Sequence, residues 1–261
     1  MLSGIGPKDH LDRFGIPVLM DLPVGNNYKN HPTISQGNPT HQNLSIINLE
    51  ELYRSHTGVL SKVPYLVTYF STRSNPNADW PDIWLSTFLG PNNKVINGLA
   101  LSRVKSRGTV RLQSTSPYVQ PLIDPNIFGN PDDYPPFFEA TKLMFLLSQK
   151  LSVVSDMLVP ALNSTVCPSC PGKRDYECDE GIACYIRLYA SIRKHSSGTC
   201  RMGAPDRDDV VVDPQLRVKN MKRLRVCDAS IFPDIPNGNT YAPALMVGEK
   251  CAQIIKDCYN L

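Results

Sequence analysis

Alternating apolar and polar residues in the middle of the chain are typical of β-strands. β-branched and aromatic residues run from Tyr65 to Phe70 and from Asp82 to Leu89, and clusters of Asn and Pro bound both runs. Residues 108–113 alternate apolar and polar side chains, which predicts a half-buried strand. The middle of the chain is therefore expected to form a sheet.

Three longer segments carry apolar residues at helical spacing. Helices are predicted over residues 137–151, 182–194 and 243–256. On the last of them the expected apolar stripe consists of Leu245, Gly248, Ala252 and Ile255. Strands and helices together predict an α+β protein, with a mixed or antiparallel sheet flanked by helices.

The two ends of the chain show only short elements. Residues 1–32 predict a loop, a helix from Lys8 to Phe14 and a strand from Ile16 to Met20, before Asn and Pro residues break the pattern. Near the other end, Val210–Val212 and Leu224–Val226 are predicted to be short strands.

Charge and hydropathy exclude two classes of partner. The net charge of +3 comes from 27 basic and 24 acidic residues that are scattered along the chain, without the basic stripe that nucleic acid requires. No window approaches the roughly 20 apolar residues of a membrane-spanning helix. The first residues lack the order of a signal peptide, and their abrupt apolar, Gly-rich start suggests a chain that begins inside a longer protein.

The cysteines are concentrated in the second half of the chain. Cys167, Cys170, Cys178 and Cys184 lie within eighteen positions, and four thiolates can complete a tetrahedral zinc site. A zinc-stabilised interaction domain is therefore one hypothesis. The second pair is spaced Cys-x5-Cys, unlike the Cys-x2-Cys hairpins of zinc ribbons, so disulfides are favoured, and with them an oxidising compartment.

Two polar residues are candidates for chemistry. His195 follows the predicted helix and precedes the turn at Gly198, where an imidazole suits proton transfer near neutral pH. Composition alone favours a histidine that caps the helix. Asn239 precedes the helix that starts near Pro243, whose amino terminus favours an anion or a reduced ring, although Asn239 or Thr240 would also suit a helix cap.

Taken together and in order, the motifs resemble those of the glucose-methanol-choline oxidoreductase family. The matching motifs are Ser3-Gly4-Ile5-Gly6-Pro7, Val24-Gly25-Asn26-Asn27 with His31-Pro32, Ser106-Arg107-Gly108-Thr109-Val110, His195-x-x-Gly198-Thr199-x-x-Met202-Gly203, Leu224-Arg225-Val226-x-Asp228-Ala229-Ser230, and Gly238-Asn239-Thr240-x-Ala242-Pro243 with Gly248-Glu249-Lys250. The residues in these motifs are most similar to those of the arthropod glucose-dehydrogenase-like branch.

The resemblance implies an FAD-dependent oxidation of a CH–OH group in an alcohol or sugar. His195 occupies the position of the family's catalytic base, which takes the hydroxyl proton while hydride passes to the flavin N5. Asn239 would hydrogen-bond the substrate oxygen, and an amide does not titrate in this range. Asp228, Ala229, Asn239 and Thr240 match segments that face FAD. The implied electron acceptor is a quinone or oxygen, and the implied location is extracellular.

Departures from the family pattern set the expected domain organisation. The Gly-x-Gly-x-x-Gly fingerprint that grips the pyrophosphate is absent, so the chain alone is expected to bind FAD poorly and to be inactive. Residues 1–32 are expected to be a remnant of the FAD-binding domain. Residues 33–200 would form the substrate domain, and residues 201–261 would return to the FAD-binding domain with the flavin-facing helix.

Two further points follow from the same comparison. Asn30 stands where the family usually has an acidic residue, and Val104 stands where a proline is common. The alternative to an enzyme is a truncated, non-catalytic module that keeps the substrate domain for binding or interaction.

Overall fold

The computed structural model describes residues 1–39, 50, 54–55, 65–90, 94–150 and 166–260. In chain order the described helices and strands are β1 (Ile5–Gly6), α1 (Lys8–Arg13), β2 (Met20–Asp21), β3 (Pro32–Pro39), β4 (Tyr65–Phe70), β5 (Ile83–Gly90), β6 (Lys94–Leu101), β7 (Thr109–Arg111), β8 (Leu122–Asp124), α2 (Tyr134–Lys150), α3 (Asp179–Tyr189), β9 (Ser191–Ile192) and α4 (Tyr241–Tyr259).

The chain divides into two compact units. The terminal unit comprises Met1–His31, Arg103–Pro131 and Ile192–Leu261, and the sheet unit comprises Pro32–Ser102 and Asp132–Ser191. The division differs from the predicted boundaries in two places, because residues 103–131 and 192–200 pack with the chain ends. The assignment of the units to flavin or substrate binding stays a prediction.

The sheet unit is built on a sheet whose strand order is β4-β5-β6-β3-β9, in which β4, β5, β6 and β3 pair antiparallel. β6 pairs antiparallel with both β5 and β3, so that Leu99 lies opposite Leu85 on one side and Ile34 on the other. Ile34 and Leu99 are fully buried. The sheet and its helices confirm the predicted α+β class.

One face of α2 forms another part of this core. Its buried side chains recur at the spacing of one helical face and are Phe137, Ala140, Thr141, Met144, Phe145 and Ser148. Ser148 Oγ accepts a hydrogen bond of 3.2 Å from Asn97 Nδ2 on β6, and the Phe145 ring packs edge-on against Tyr185 of α3 at 5.1 Å between centroids. The helix starts at Tyr134, three residues before its predicted start.

Disulfides fix the cysteine-rich segment that leads into α3. Cys167 is bonded to Cys184, and Cys170 is bonded to Cys178. The preference for disulfides is confirmed, and the zinc hypothesis is wrong because all four sulfurs are paired. Among the described residues, no cluster of His, Cys, Asp and Glu is arranged to hold a metal ion.

The terminal unit has a separate apolar core. The unit has two short ladders, β1 with β2 in parallel and β7 with β8 antiparallel, and Ile5 and Met20 of the first ladder pack against the core. Its buried side chains come mainly from loops and from α4, and they are Leu22, Val211, Val212, Leu216, Val218, Ile231, Phe232, Val247 and Cys251. A third disulfide, between Cys227 and Cys251, joins a loop to α4 inside this core.

Four local predictions are corrected by the structure. Of the predicted strand Ile16–Met20, only Met20 lies in a strand, β2. α3 ends at Tyr189 rather than Lys194, because Ala190 turns extended and leads into β9 beside β3. Residues 210–212 and 224–226 are not strands, and of these residues only Val212 and Arg225 form isolated bridges. The buried side of α4 is Val247 and Cys251, whereas the predicted residue Leu245 is 57% exposed.

Within the described part of the chain, no helix combines the length and hydropathy needed to cross a membrane.

Candidate active site

His195 lies on a loop held between two other segments of the terminal unit. The backbones of Ser197 and Lys29 exchange hydrogen bonds of 2.9 and 3.0 Å. On the other side, Gly198 N donates to Ala229 O at 3.2 Å and Cys200 N donates to Ser230 O at 2.8 Å. The loop therefore has a fixed path with partners far away in the sequence.

Gly198 permits the close approach on which this path depends. Its φ is +85°, in the left-handed region, and a Cβ at this position would lie 2.4 Å from the carbonyl oxygen of Asn27. Only glycine avoids both the backbone strain and the clash. The glycine that the sequence places three residues after His195 thus sets the position of the imidazole.

His195 and Asn239 are brought together, as the sequence predicts. His195 Nε2 lies 3.0 Å from Asn239 Oδ1, although the two residues are 44 positions apart. Asn239 is exposed, whereas only 9% of His195 is exposed. The Nε2 edge of the ring therefore faces an accessible amide. The helix-capping alternative for His195 is wrong, because α3 has already ended at Tyr189.

The other edge of the His195 ring faces a second histidine. His31 Nδ1 lies 2.9 Å from His195 Nδ1, and the two rings are perpendicular with centroids 5.1 Å apart. His31 is completely buried. Both ring nitrogens of His195 thus have side-chain partners from distant parts of the chain, so the ring orientation is set on both sides.

Burial decides the direction in which the pKa of His195 moves. The pKa is lowered from 6.5, chiefly because burial disfavours the charged imidazolium, and the nearby charge of Arg193 adds to this effect. The hydrogen bond with Asn239 acts in the opposite direction. A lowered pKa keeps the imidazole neutral, and so able to accept a proton, at neutral pH.

Asn30 supports the same loop. Its Nδ2 donates to the Tyr28 hydroxyl at 3.1 Å, and its Oδ1 accepts from the backbone N of His31 at 2.9 Å. The Tyr28 hydroxyl lies 2.9 Å from Ser196 Oγ. A carboxylate can accept hydrogen bonds but cannot donate, so the departure from an acidic residue provides a donor for Tyr28.

A buried lysine, Lys29, links the segment before His31 to Asp234, five residues before Asn239. Lys29 Nζ donates to the carbonyl oxygen of Val104 at 2.7 Å and forms an ion pair with Asp234. Only 1% of the lysine side chain is exposed, against 66% for Asp234. A buried ammonium needs such partners, because an unpaired charge in the interior is costly.

The remaining predicted site residues lie around the start of α4 and beside the His195 loop. Asp228 caps the short 3₁₀ helix Ala229–Ile231 by accepting a hydrogen bond of 2.8 Å from Ser230 N. Thr240 is buried and stands at the N-cap of α4, but its side chain makes no capping hydrogen bond. Asn239 does not cap the helix either, since its amide faces His195.

Sequence reasoning missed two features of this site. His31 entered only as part of a family motif, and its contact with His195 joins residues 164 positions apart. The disulfide between Cys227 and Cys251 brackets the segment that carries Asp228 and Ala229, and the spacing of 24 residues gave no local indication of it.

Comparison with known proteins identifies the family. Residues 104–248, more than half of the chain, match the model of GMC oxidoreductases. The chain belongs to the GMC oxidoreductase family. This match includes His195, Asp228, Ala229, Asn239 and Thr240.

Curated GMC relatives extend the likeness to almost the whole chain. Human mitochondrial choline dehydrogenase is 33% identical over 98% of this chain and 45% of its own length. Oxygen-dependent choline dehydrogenase of Brucella ovis is 32% identical over 98% of this chain and 48% of its own length. The chain thus spans about half the length of the curated relatives it matches.

A solved structure shows the same fold. Formate oxidase from Aspergillus oryzae, studied for the modification of its FAD, superposes with a TM-score of 0.81 at 24% identity, over 99% of this chain and 52% of the oxidase. FAD is thereby confirmed as the cofactor of a structural relative. The predicted closeness to the arthropod glucose-dehydrogenase-like branch is not shown by these comparisons.

Proposed function

We propose that this chain forms the part of a flavoenzyme that oxidises a CH–OH group of an alcohol or sugar, with His195 as the base. The observation that carries the proposal is the contact of 3.0 Å between His195 Nε2 and the side-chain amide of Asn239 at the accessible edge of a buried imidazole. A neutral imidazole and a fixed amide side by side suit the binding of a hydroxyl group.

The two side chains would have unequal roles. The substrate oxygen accepts a hydrogen bond from the Asn239 amide, which holds the hydroxyl group towards His195. His195 Nε2 takes the hydroxyl proton, because an Asn amide does not titrate near neutral pH. The lowered pKa of His195 favours the neutral form that this step needs. His31 contacts the other edge of the His195 ring and so limits the rotation of that ring.

The first turn of α4 fits a flavin. The Thr240 side chain does not cap the amino-terminal N–H groups of Tyr241 and Ala242. Such N–H groups and the positive end of the helix favour an electron-rich ring that gains negative charge on reduction. Asp228 and Ala229, beside the His195 loop, would contact the cofactor as well. When bound, FAD supplies the hydride acceptor.

FAD binding by the 261 residues alone is proposed to be weak. The pyrophosphate fingerprint is absent from the sequence, and the relatives are about twice as long as the chain. We therefore propose that the complete enzyme contains a further flavin-binding half. A stoichiometric yellow complex of this chain with FAD would contradict that view.

The substrate is proposed as a class only. The similarity to choline dehydrogenases favours a primary alcohol. The residues of the sequence motifs instead favour a sugar, as in a glucose-dehydrogenase-like enzyme. The electron acceptor is proposed to be oxygen or a quinone. Three disulfides favour an oxidising compartment, which supports the proposal of an extracellular protein.

The test uses the complete protein, purified with FAD and mixed anaerobically with choline, simple primary alcohols and aldose sugars. Substrate-dependent loss of the oxidised flavin absorbance is expected for at least one class. An upstream strand, Gly-x-Gly-x-x-Gly turn and helix should also be encoded in frame. No bleaching with any substrate, together with no such segment, would favour the non-catalytic module instead.

A further inference from the structure

We propose that His31 is a positioning residue that fixes the tautomer of His195. In this arrangement His195 carries its proton on Nδ1 and donates it to His31 Nδ1, so that Nε2 keeps its lone pair for the substrate proton. The inference rests on the proposed function of His195 as a base, but its geometry is independent of any cofactor.

The distance between the rings requires a shared proton. His195 Nδ1 and His31 Nδ1 are 2.9 Å apart, which is a hydrogen-bond distance. Two ring nitrogens without hydrogen would bring their lone pairs face to face, and two N–H groups would bring their hydrogens face to face. Both arrangements are repulsive. One nitrogen must therefore donate and the other accept, so the tautomers of the two histidines are coupled.

The proposed role of His195 as a base decides between the two possible directions. If His31 donates, neutral His195 carries hydrogen on Nε2, which suits Asn239 Oδ1 but leaves no lone pair for a substrate proton. If His195 donates, Nε2 becomes the acceptor. A half-turn of the Asn239 amide then places Nδ2 opposite the ring, where it donates a hydrogen bond to Nε2. Only the second direction gives His195 the role of a base.

The same direction also accommodates the product of proton transfer. When the substrate O–H bond breaks, its proton forms a bond with the Nε2 lone pair, and the bonding electrons remain on the substrate oxygen. The imidazolium now has hydrogen on both nitrogens, and its Nδ1–H still points at the lone pair of His31. If His31 instead carried hydrogen on Nδ1, the N–H groups of the two rings would face each other and repel.

His31 is held firmly enough to impose this choice. Its side chain is 0% exposed, its backbone N donates to Asn30 Oδ1 at 2.9 Å, and its carbonyl oxygen accepts from Arg193 N at 3.1 Å. Arg193 lies two residues before His195, so the backbone contact ties both histidines to one frame. A fixed neighbour is what orients a catalytic imidazole in other enzymes.

The direct test is histidine tautomer analysis by nitrogen-15 NMR on the 261-residue chain, at a pH where His195 is neutral. With histidine labelling there are five rings to assign, and His195→Asn and His31→Phe identify two of them. We expect His195 to show a protonated Nδ1 and an unprotonated Nε2. A proton on Nε2 in the wild-type chain would overturn the proposal, even if His31→Phe does not fold.

The variants separate positioning from folding. In His31→Phe, which keeps a ring but offers no acceptor, the fixed tautomer should be lost, whereas His31→Asn places an oxygen near the former Nδ1 and should restore it. In the FAD-loaded complete protein, His31→Phe should lower the flavin reduction rate by at least about tenfold with little change in substrate affinity.

The outcomes also distinguish this inference from the proposed function. An unchanged His195 tautomer in folded His31→Phe would overturn the role of His31, whatever the activity of His195. If no alcohol or sugar reduces the flavin of the wild-type protein, the function itself fails, whereas a wild-type His195 protonated on Nδ1 and dependent on His31 would still support the pairing.

Discussion

Two buried regions, the contacts of α2 in the sheet unit and the surroundings of His195 in the terminal unit, differ in the side chains that they bury. In the sheet unit, α2 packs an apolar face, including Phe145 and Met144, against the sheet and α3. In the terminal unit, the region around His195 buries polar groups, namely His31, Asn30, Lys29 and Ser197, each with a hydrogen-bond partner. Apolar burial supplies stability, whereas a satisfied polar interior fixes orientation. The comparison predicts that changes in these two regions have different consequences.

The largest loss of stability is expected in the sheet unit. Phe145→Ala removes a fully buried ring that packs on Tyr185, and should lower the free energy of unfolding by about 3–5 kcal/mol. Leu147→Ala, on the same helix but 37% exposed, is the matched control and should cost less than about 1 kcal/mol. Denaturant unfolding of both variants measures the difference; equal losses would contradict the assigned core.

The disulfides sharpen the comparison. Replacing Cys227 and Cys251 by Ser opens a loop of 24 residues inside the terminal core and should cost about 3 kcal/mol. Replacing Cys170 and Cys178, which are 8 residues apart, should cost less, about 2 kcal/mol. Thermal unfolding of the two double variants provides the measurement. A larger loss of free energy of unfolding for the shorter loop would contradict the stronger stabilisation expected from the disulfide of the terminal core.

A smaller effect is expected from the cap beside the His195 loop. Asp228→Ala removes the acceptor of the Ser230 N–H and should lower the free energy of unfolding by about 1 kcal/mol without FAD. Asp208→Ala, an exposed acidic residue of the same unit, is the control and should change stability by less than about 0.5 kcal/mol. If both variants unfold alike, the cap contributes nothing measurable.

The smallest effect is a change in pH dependence. Because burial lowers the pKa of His195 below 6.5, the unfolded chain binds more protons just below that pH than the folded chain does. Stability should therefore fall as the pH drops from 6.5 through the folded pKa, and His195→Asn should flatten this fall. His10 also has a pKa lowered chiefly by burial, but it is present in both proteins and cancels in the comparison. Identical pH curves would contradict the burial of a neutral His195.

Local sequence patterns predicted the elements that are defined by their own residues. β4 has the predicted bounds, and α2 and α4 lie within a few residues of theirs. β6 was not predicted, because Asn97 and Gly98 interrupt its apolar pattern and its place depends on pairing with β5 and β3. Strand pairing is a property of distant segments, which no short window contains.

The site shows the same division. The motif around His195 and Asn239 predicted that they act together, and the structure brings them into contact. The contact with His31 depends on a path of 164 residues, and only the fold brings these two rings to hydrogen-bond distance. Polar networks of this kind are assembled from single residues on separate loops, so periodicity gives no indication of them.

The measurement that tests the central claim most directly is the rate of anaerobic flavin reduction in the FAD-loaded complete protein, compared between wild type and His195→Ala. Loss of a general base should lower this rate by roughly 10²–10⁴. His10→Gln, at a histidine that accepts the Leu112 N–H outside the site, serves as control and should leave the rate unchanged. A His195→Ala variant that reduces its flavin at the wild-type rate would contradict the account.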